Sequence, residues 1–394
     1  MKVLIVHNYY SRRGGEDECF DAETRLLPSK GIDVVVHTQN SSSIAPSRRV
    51  SLALRTIWSR EDYSAVRLLI RKERPDVMHV ENFFPMISPA VYYASQAEGV
   101  PVVQSLHNYR LLCLSAELVR DGRVCEECLN RSVPLAGVIH NCYFRGRAAS
   151  ATLAGMLLTH RARRTFAEKV DYFTVPTDFA RRKFIDSGFP EEKMLLRPTF
   201  VASDMGMGDG DGGYALFVGR LVPEKGLGVL LHAWDRLGKA FPLRIVGAGP
   251  LEEQAREAAQ RIPGVEFPGR VSREQLRDYY RRAKVAIVPS TWYEGSPAVI
   301  GEAFSAGVPV IASDLGSMGG LIRHGRTGLH FRPGDGDDLA EKVRWAFGHP
   351  EELEEMRRAA RREYEGAYTA EAGLRRQIEI YEMAARGRRL GNGI

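Results

Sequence analysis

Residues 285–312 read VAIVPSTWYEGSPAVIGEAFSAGVPVIA, and their punctuation dictates a strand, a helix and a second strand. Residues 285–289 are a short continuous apolar run of the buried-strand type, 297–306 carry helical patterning, and 308–312 are a second apolar run. Ser296 is a good N-cap, Pro297 suits the first helical position, and Gly307 followed by Pro309 stops the helix. The free N–H groups at such a helix start attract phosphate. Glu294 falls in the loop just before the helix, with Gly295 beside it. Glu302 lies five residues past Pro297, hence ~7–8 Å along the axis at 1.5 Å per residue. Carboxylates so placed cannot pair, but could grip separate parts of one elongated ligand, such as a sugar and a ribose flanking a diphosphate. A glycosidase pair would need both groups facing one bond at ~5–9.5 Å, which a loop-plus-helix placement disfavours. The bland alternative, a surface loop residue and a solvated helix position, is opposed by the apolar neighbours Val299, Ile300, Ala303 and Phe304.

The same grammar extends in both directions. Residues 215–219, 243–246 and 265–267 read as buried strands, with 226–236, 250–260 and 273–283 as the helices between them. In the first half, 2–7 and 33–37 read as strands around a helical stretch from Glu16, followed by strands at 76–80, 101–106, 171–175 and 193–196 and helices at 86–97 and 150–168. Repeated βα units imply doubly wound parallel sheets with helices on both faces, whose ligands bind beyond the carboxyl ends of the strands. Residues 201–213, VASDMGMGDGDGG, have no apolar periodicity and read as a flexible linker. The expected division is an N-terminal Rossmann-like domain over 1–197, with a Cys-containing insertion at 110–145, and a C-terminal Rossmann-like domain over 198–369, with a cleft between them.

Size and composition agree with that division. At ~100–200 residues per domain, 394 residues favour two domains. With 44% hydrophobic and 26% charged residues the chain is neither disordered nor fibrous. No apolar run approaches the ~18–20 uncharged residues that cross a bilayer, and residues 1–6 are too short for a signal peptide, so the expected location is cytoplasmic. Up to position 195 there are 27 basic and 22 acidic residues, and 28 and 27 beyond it, so the +6 net charge sits mostly in the first half. With both signs interspersed this is not a nucleic-acid footprint. It leaves open an anionic membrane surface or a phosphate-bearing substrate. The clusters Arg161/Arg163/Arg164 and Arg181/Arg182/Lys183 read as solvated helix faces.

Further segments could carry chemistry. In 217–226, FVGRLVPEKG, the cations Arg220 and Lys225 leave the carboxyl end of a strand, where they could clamp a departing diphosphate. Gly14-Gly15 after the first strand permits close backbone approach to a ligand. It is not a dinucleotide fingerprint, and Gly247-Ala248-Gly249-Pro250 also fails, because Glu252 occupies the third glycine position. His107 follows a strand directly, where a ligand-facing polar group is expected, although a lone histidine is ordinarily structural. Cys113, Cys125, Cys128 and Cys142 fall within 30 residues, and the pair 125/128 has the gap of a metal knuckle. A closed structural zinc site, two disulfides and unlinked thiols are the readings of this cluster.

Arg220/Lys225 together with Glu294-x7-Glu302 resemble the large retaining glycosyltransferase family 4, which has the two-domain GT-B fold. The likeness covers nearly the whole chain and includes 14–16 (GGE), 105–109 (SLHNY), 246–250 (VGAGP), 267–271 (FPGRV) and 307–313 (GVPVIAS). The resemblance implies that Glu294 contacts the donor sugar and Glu302 the nucleotide ribose. It implies Arg220 and Lys225 on the diphosphate, His107 on the sugar near the acceptor, and Gly14-Gly15 facing the donor phosphate or acceptor. It implies further donor contacts from Gly247, from Val271 near the base, and from the helix start at Gly295, Ser296, Pro297, Ala298 and Val299. It implies no catalytic metal or cofactor, and a C-terminal helix at about 370–386, within a tail to 394, that crosses back onto the first domain. It also implies retention of anomeric configuration by front-face reaction, the donor phosphate oxygen accepting the acceptor hydroxyl proton.

The expected activity is therefore hexosyl transfer from a nucleotide-sugar donor, UDP- or GDP-linked, to a glycan, lipid-linked or small-molecule hydroxyl. A GT-B nucleotide-sugar epimerase and a non-catalytic nucleotide-sugar-binding protein are the alternatives; the presence of Glu294, Arg220 and Lys225 argues against the second. No nucleic-acid partner is expected, and membrane association, where it occurs, should be weak, salt-sensitive and confined to the first domain.

Overall fold

The computed structural model describes residues 1–11, 13–43 and 49–391. The chain forms two compact units: Met1–Leu118, Glu126–Arg197 and Leu374–Ile394 make the first, Val119–Cys125 and Pro198–Gly373 the second. The strands are β1 (Lys2–Tyr9), β2 (Asp33–Asn40), β3 (Val77–Asn82), β4 (Val102–Ser105), β5 (Val119–Arg120), β6 (Arg123–Val124), β7 (Tyr172–Val175), β8 (Met194–Leu196), β9 (Tyr214–Val218), β10 (Leu243–Val246), β11 (Val265–Gly269), β12 (Ala283–Val288), β13 (Val310–Ser313) and β14 (Gly328–Phe331). β5 and β6 form a small antiparallel hairpin.

The first unit holds a parallel sheet in the order β2-β1-β3-β4-β7-β8, the second a parallel sheet in the order β11-β10-β9-β12-β13-β14. Each order reverses direction once, between β1 and β3 and between β9 and β12, and the crevice outside the strand ends at such a reversal is where doubly wound sheets bind ligands. The strands are apolar without alternation because both faces are covered. In β9, Ala215 and Phe217 enter one core cluster with Trp234 and Leu243, while Tyr214 and Leu216 enter the other with Phe304 and Val310. In the first unit, Val3 and Ile5 of β1 pack in one cluster with Phe20, Val103, Leu374, Ile380 and Tyr381. The last three belong to the helix Ala370–Gly391.

Residues 201–213 are not a flexible linker. Val201 N donates to Tyr368 O (2.8 Å), Gly208 N to Ala306 O (3.1 Å), Gly210 N to Arg281 O (3.1 Å) and Gly212 N to Arg282 O (3.0 Å). Buried Arg357 reaches Gly208 O with Nη2 (2.5 Å), and Met205 is buried. A Cβ on Gly208 would lie 2.0 Å from Arg281 O, so glycine is there to let two backbones touch, not to loosen the chain. Gly208→Ala should cost about 1–3 kcal/mol by overpacking. Gly228→Ala, on an exposed helix position with open space around its Cβ, should gain about 0.5–1 kcal/mol. Urea unfolding of both variants checks the pair, and a neutral Gly208→Ala would remove this account of the segment.

Other helices start or stop where the backbone forbids continuation. The helix expected over 86–97 is Ala90–Ala97, because Ser88 adopts φ +68° ahead of it. The stretch 150–168 splits into Arg147–Ala162 and Thr165–Glu168 at Arg164, which has φ +52°.

Candidate functional site

In the second unit, the loops leaving β9 and β12 meet at the sheet's reversal point. Thr291 N donates to Glu224 O (2.9 Å), and Gly226, at φ +77°, sits so close to the β12 loop that a Cβ would lie 1.8 Å from Pro289 O. This contact brings together two residues 69 positions apart: Lys225 Nζ donates to Glu294 Oε1 at 2.7 Å. Ser290 Oγ donates to the same oxygen (2.6 Å), and Ser317 Oγ to the Glu294 carbonyl (2.7 Å). Glu294 is 5% exposed. Burial alone would push its carboxyl up, but Lys225 and Ser290 override it and hold it below the usual carboxylate range, so it is ionised at neutral pH.

The helix after this loop runs Ala298–Ser305 and begins at Pro297, which is the N-cap with no side-chain cap bond. Ser296 therefore does not cap it, and Pro297 is not its first residue: Pro297 holds extended ψ 110°, which shifts the start by one. Gly295, Ser296 and Val299 are half-buried and Ala298 is exposed at this start. Glu302, on the same helix, accepts from Tyr280 OH (2.9 Å). Arg220 is exposed two residues beyond β9. Gly247, at the end of β10, lies against that strand turn, since a Cβ on it would meet Gly219 O at 1.9 Å. Val271 packs at the edge of the core beyond β11.

In the first unit, the ends of β3 and β4 border a small open pocket, whose lining includes Glu16, Glu81, Asn82, His107, Asn108 and Arg110. His107 does not stand alone: its Nε2 is hydrogen-bonded to Glu81 Oε2. Glu81 Oε1 lies 3.0 Å from His79 Nε2 and accepts from Ser105 Oγ (3.1 Å), and Tyr381 OH donates to His79 Nδ1 (2.7 Å). The chain of bonds is satisfied by a neutral His79 with its proton on Nε2. Burial lowers His79 to about 4 despite Glu81. Burial would lower His107 too, but there Glu81 prevails and the net shift is upward. Glu81, which burial alone would raise, is drawn well below the carboxylate range by His79, His107 and Arg197.

Glu16 accepts from Tyr10 OH (2.8 Å) and from Asn108 Nδ2 (2.6 Å), so its carboxylate is engaged. The Arg110 guanidinium lies 4.4 Å over the Phe84 ring and 5.6 Å from that of Tyr143, and its Nε and Nη1 are buried without an acceptor. Gly14 caps the helix Gly15–Leu26 at an ordinary extended φ of −136°, and neither Gly14 nor Gly15 has an atom within 4 Å of a built Cβ. Internal packing therefore does not demand glycine at either position. Glu81, Arg110 and Tyr10 escape a reading of the sequence alone. The one signal for Glu81 is a carboxylate inside an otherwise apolar strand, VMHVEN.

The structure does not show the zinc site expected at the four clustered cysteines. Among the described residues, the one group of three or more His, Cys, Asp or Glu ligand atoms within 4.8 Å of one another is Glu23, His79 and Glu81. Cys113 instead lies 3.2 Å from Ser115 Oγ, and none of the cysteines is in a disulfide. Cys113 and Cys128 are buried, while Cys125 and Cys142 are partly exposed. The Glu23/His79/Glu81 group already holds a cation: Arg197 Nη1 donates to Glu23 Oε1 at 2.6 Å, with Nη2 4.0 Å from Glu81.

Among the described residues no helix is long and apolar enough to cross a membrane. Residues 14–199 match the family described as glycosyl transferase 4-like domain, and residues 208–363 the family glycosyl transferases group 1. The chain is 35% identical over 161 residues to the D-rhamnosyltransferase WbpZ of Pseudomonas aeruginosa, covering 40% of this chain and 42% of that one. The chain spans about half or less of the lengths of the first curated relatives it matches. It is 30% identical over 362 residues to TuaC of Bacillus subtilis, a glycosyltransferase assigned to teichuronic acid biosynthesis, over 87% of this chain and 88% of that one. HepE of Anabaena, crystallised with UDP, superposes with a TM-score of 0.68 at 16% identity, over 97% of this chain and 100% of that one. On the near full-length match, the two family matches and the paired parallel sheets, the chain belongs to the group 1, family 4-like glycosyltransferases of GT-B fold.

Proposed function

We propose that this chain transfers a hexose-type sugar from a UDP- or GDP-sugar to a hydroxyl of a glycan, lipid-linked or small-molecule acceptor, with retention and with no metal or cofactor in the catalytic step. The observation that carries the reading is the pairing of half-buried Lys225 with buried Glu294 at the β9/β12 reversal. A donor diphosphate arriving there exchanges Lys225 away from Glu294 and leaves a preorganised, ionised carboxylate for the sugar hydroxyls. Lys225 and exposed Arg220 neutralise the diphosphate as it departs, the role a metal would otherwise fill. Glu302 takes the ribose, and the backbone at Gly247, Val271 and 295–299 borders the nucleotide. HepE, of the same fold, was crystallised with UDP, which agrees with a uridine donor.

In the first unit, His107 and the buried donors of Arg110 orient the reacting oxygens, while Gly14-Gly15 leave room for donor phosphate or acceptor. The acceptor oxygen bonds to the anomeric carbon as that carbon's bond to the phosphate oxygen breaks, on the same face. The acceptor proton passes to the departing phosphate oxygen, and nucleoside diphosphate leaves. The protein supplies positioning and charge stabilisation.

Incubation with UDP- and GDP-sugars and an acceptor panel, read by mass spectrometry, tests the reading. Nucleoside diphosphate release with a glycosylated product supports it. An altered sugar without release would instead make the chain an epimerase, and binding without any turnover a non-catalytic binder.

A further inference from the structure

From Cys128 to Ala167 the sequence contains six arginines and not one acidic residue, so the basic excess of the first half is concentrated in forty positions. The same segment presents exposed apolar side chains: Val133, Leu135, Ile139 and Phe144 are 42%, 58%, 54% and 82% exposed. Their outward orientation is built in. The short helix Leu135–Ile139 turns Gly137 inward, where a Cβ would meet the Leu114 side chain at 2.7 Å. At 3.6 residues per turn Leu135 and Ile139 share the opposite face. Arg161 anchors the segment by donating from Nη1 to Arg131 O (2.7 Å) and from Nη2 to Leu111 O (2.8 Å). Phe144 and Arg145 both adopt left-handed backbone, φ +48° and +50°, which non-glycine residues seldom hold in succession. Arg131, Arg145 and Arg147 are exposed beside these apolar groups.

We propose that residues 131–147 dock this chain onto an anionic lipid bilayer, Phe144, Ile139 and Leu135 entering the headgroup boundary while Arg131, Arg145 and Arg147 meet the lipid phosphates. Exposed apolar side chains accompanied by three exposed arginines, with one nearby carboxylate, Glu127, 3.8 Å from His140 Nε2, leave a net positive face that fits an anionic surface. The face adjoins the pocket of the first unit: the Phe144 ring is 4.5 Å from that of Tyr143, which packs at 5.5 Å on Phe84, a pocket-lining residue beneath Arg110. Docking thus brings the bilayer surface beside His107 and Arg110. This selects the lipid-linked class among the acceptors proposed above and rests on that reading.

The test is co-sedimentation of the full chain with phosphatidylglycerol–phosphatidylcholine vesicles and with phosphatidylcholine vesicles. Wild type should bind the anionic vesicles at low salt and be released near 1 M salt. Arg131→Ser/Arg145→Ser/Arg147→Ser should weaken partitioning roughly fivefold per arginine, and Ile139→Ser/Phe144→Ser at least tenfold, with circular dichroism melts unchanged. Leu68→Ser, at an exposed leucine of the helix Arg60–Glu73, should bind as wild type. Equal binding to neutral vesicles, or unweakened binding by both variants, overturns the proposal. Nucleoside diphosphate release from a soluble donor should persist in the variants. Wild type that releases diphosphate but ignores anionic vesicles removes the docking face and leaves the transferase reading. Wild type that binds them but turns over no donor does the reverse.

Discussion

Glu294→Ala is expected to abolish sugar transfer while nucleoside diphosphate binding survives, and Lys225→Ala to weaken both. In the proposed reaction the Glu294 carboxylate meets only the sugar, and each charged hydrogen bond lost there costs on the order of 1.5–3 kcal/mol, or ~10–150-fold. Removing it also frees Lys225 from its 2.7 Å partner, so the cation is at least as available to a diphosphate as before. Lys225 meets a group present in both donor and product, so its loss harms ground-state binding as well as departure of the leaving group. Calorimetry with the nucleoside diphosphate and rates with the intact donor separate the two. Diphosphate affinity lost as severely in Glu294→Ala as in Lys225→Ala, with transfer persisting, would reverse the roles.

The second large effect belongs to Glu81. Glu81→Ala leaves His79, His107 and Arg197 facing a buried gap where a carboxylate stood, and breaking a buried ionic cluster on one side costs about 3–5 kcal/mol. Glu81→Gln keeps the shape and isolates the charge. In wild type the folded His107 value lies above the unfolded ~6.5. The His107 contribution to stability is therefore fully present below about pH 6.5 and fades as pH rises through the folded value. In Glu81→Gln the main upward pull is gone, leaving only that of Glu16 against burial and Arg197, and His107 should titrate lower than in wild type. Nuclear magnetic resonance of the His107 ring across the pH range reads this directly. An unchanged titration in Glu81→Gln would mean that Glu81 is not what holds the proton.

The strands and their alternation with helices were accessible from the sequence because buried parallel strands are uninterrupted apolar runs, as in Ala283–Val288 and Val310–Ser313, and because glycine and proline mark their ends. Local rules failed where tertiary contact overrode them. Glycine and aspartate in 201–213 carry the composition of a linker, yet several of those glycines allow a backbone to lie against Arg281 and Arg282, a requirement visible only once the neighbour is known. Ser296 has the chemistry of a cap, but extended Pro297 takes the capping position. The cysteine spacing says nothing of the directions in which the thiols point. Lys225 and Glu294 were each conspicuous in their own segment. That they touch depends on β9 and β12 being neighbours, which no local motif states. Glu81 was hidden because its partners, His79, Ser105, His107 and Arg197, come from β3, β4 and the segments that follow β4 and β8.

The helix Ala370–Gly391 has a consequence for how the protein is made. Leu374, Ile380, Tyr381 and Ala384 share a core cluster with Val3 and Ile5, and Tyr381 closes the hydrogen-bond chain through His79 to Glu81. During synthesis β1 leaves the ribosome long before residue 384, and its cluster and the bonds behind His107 cannot be completed until residue 384 has followed. The second unit, whose main segment Pro198–Gly373 is a continuous stretch, has that stretch in full before then. Completion of the units thus runs opposite to sequence order, the first unit being closed only after the stretch Pro198–Gly373 has been made. A fragment cut at residue 197 is accordingly not a domain but a precursor waiting for its closing helix.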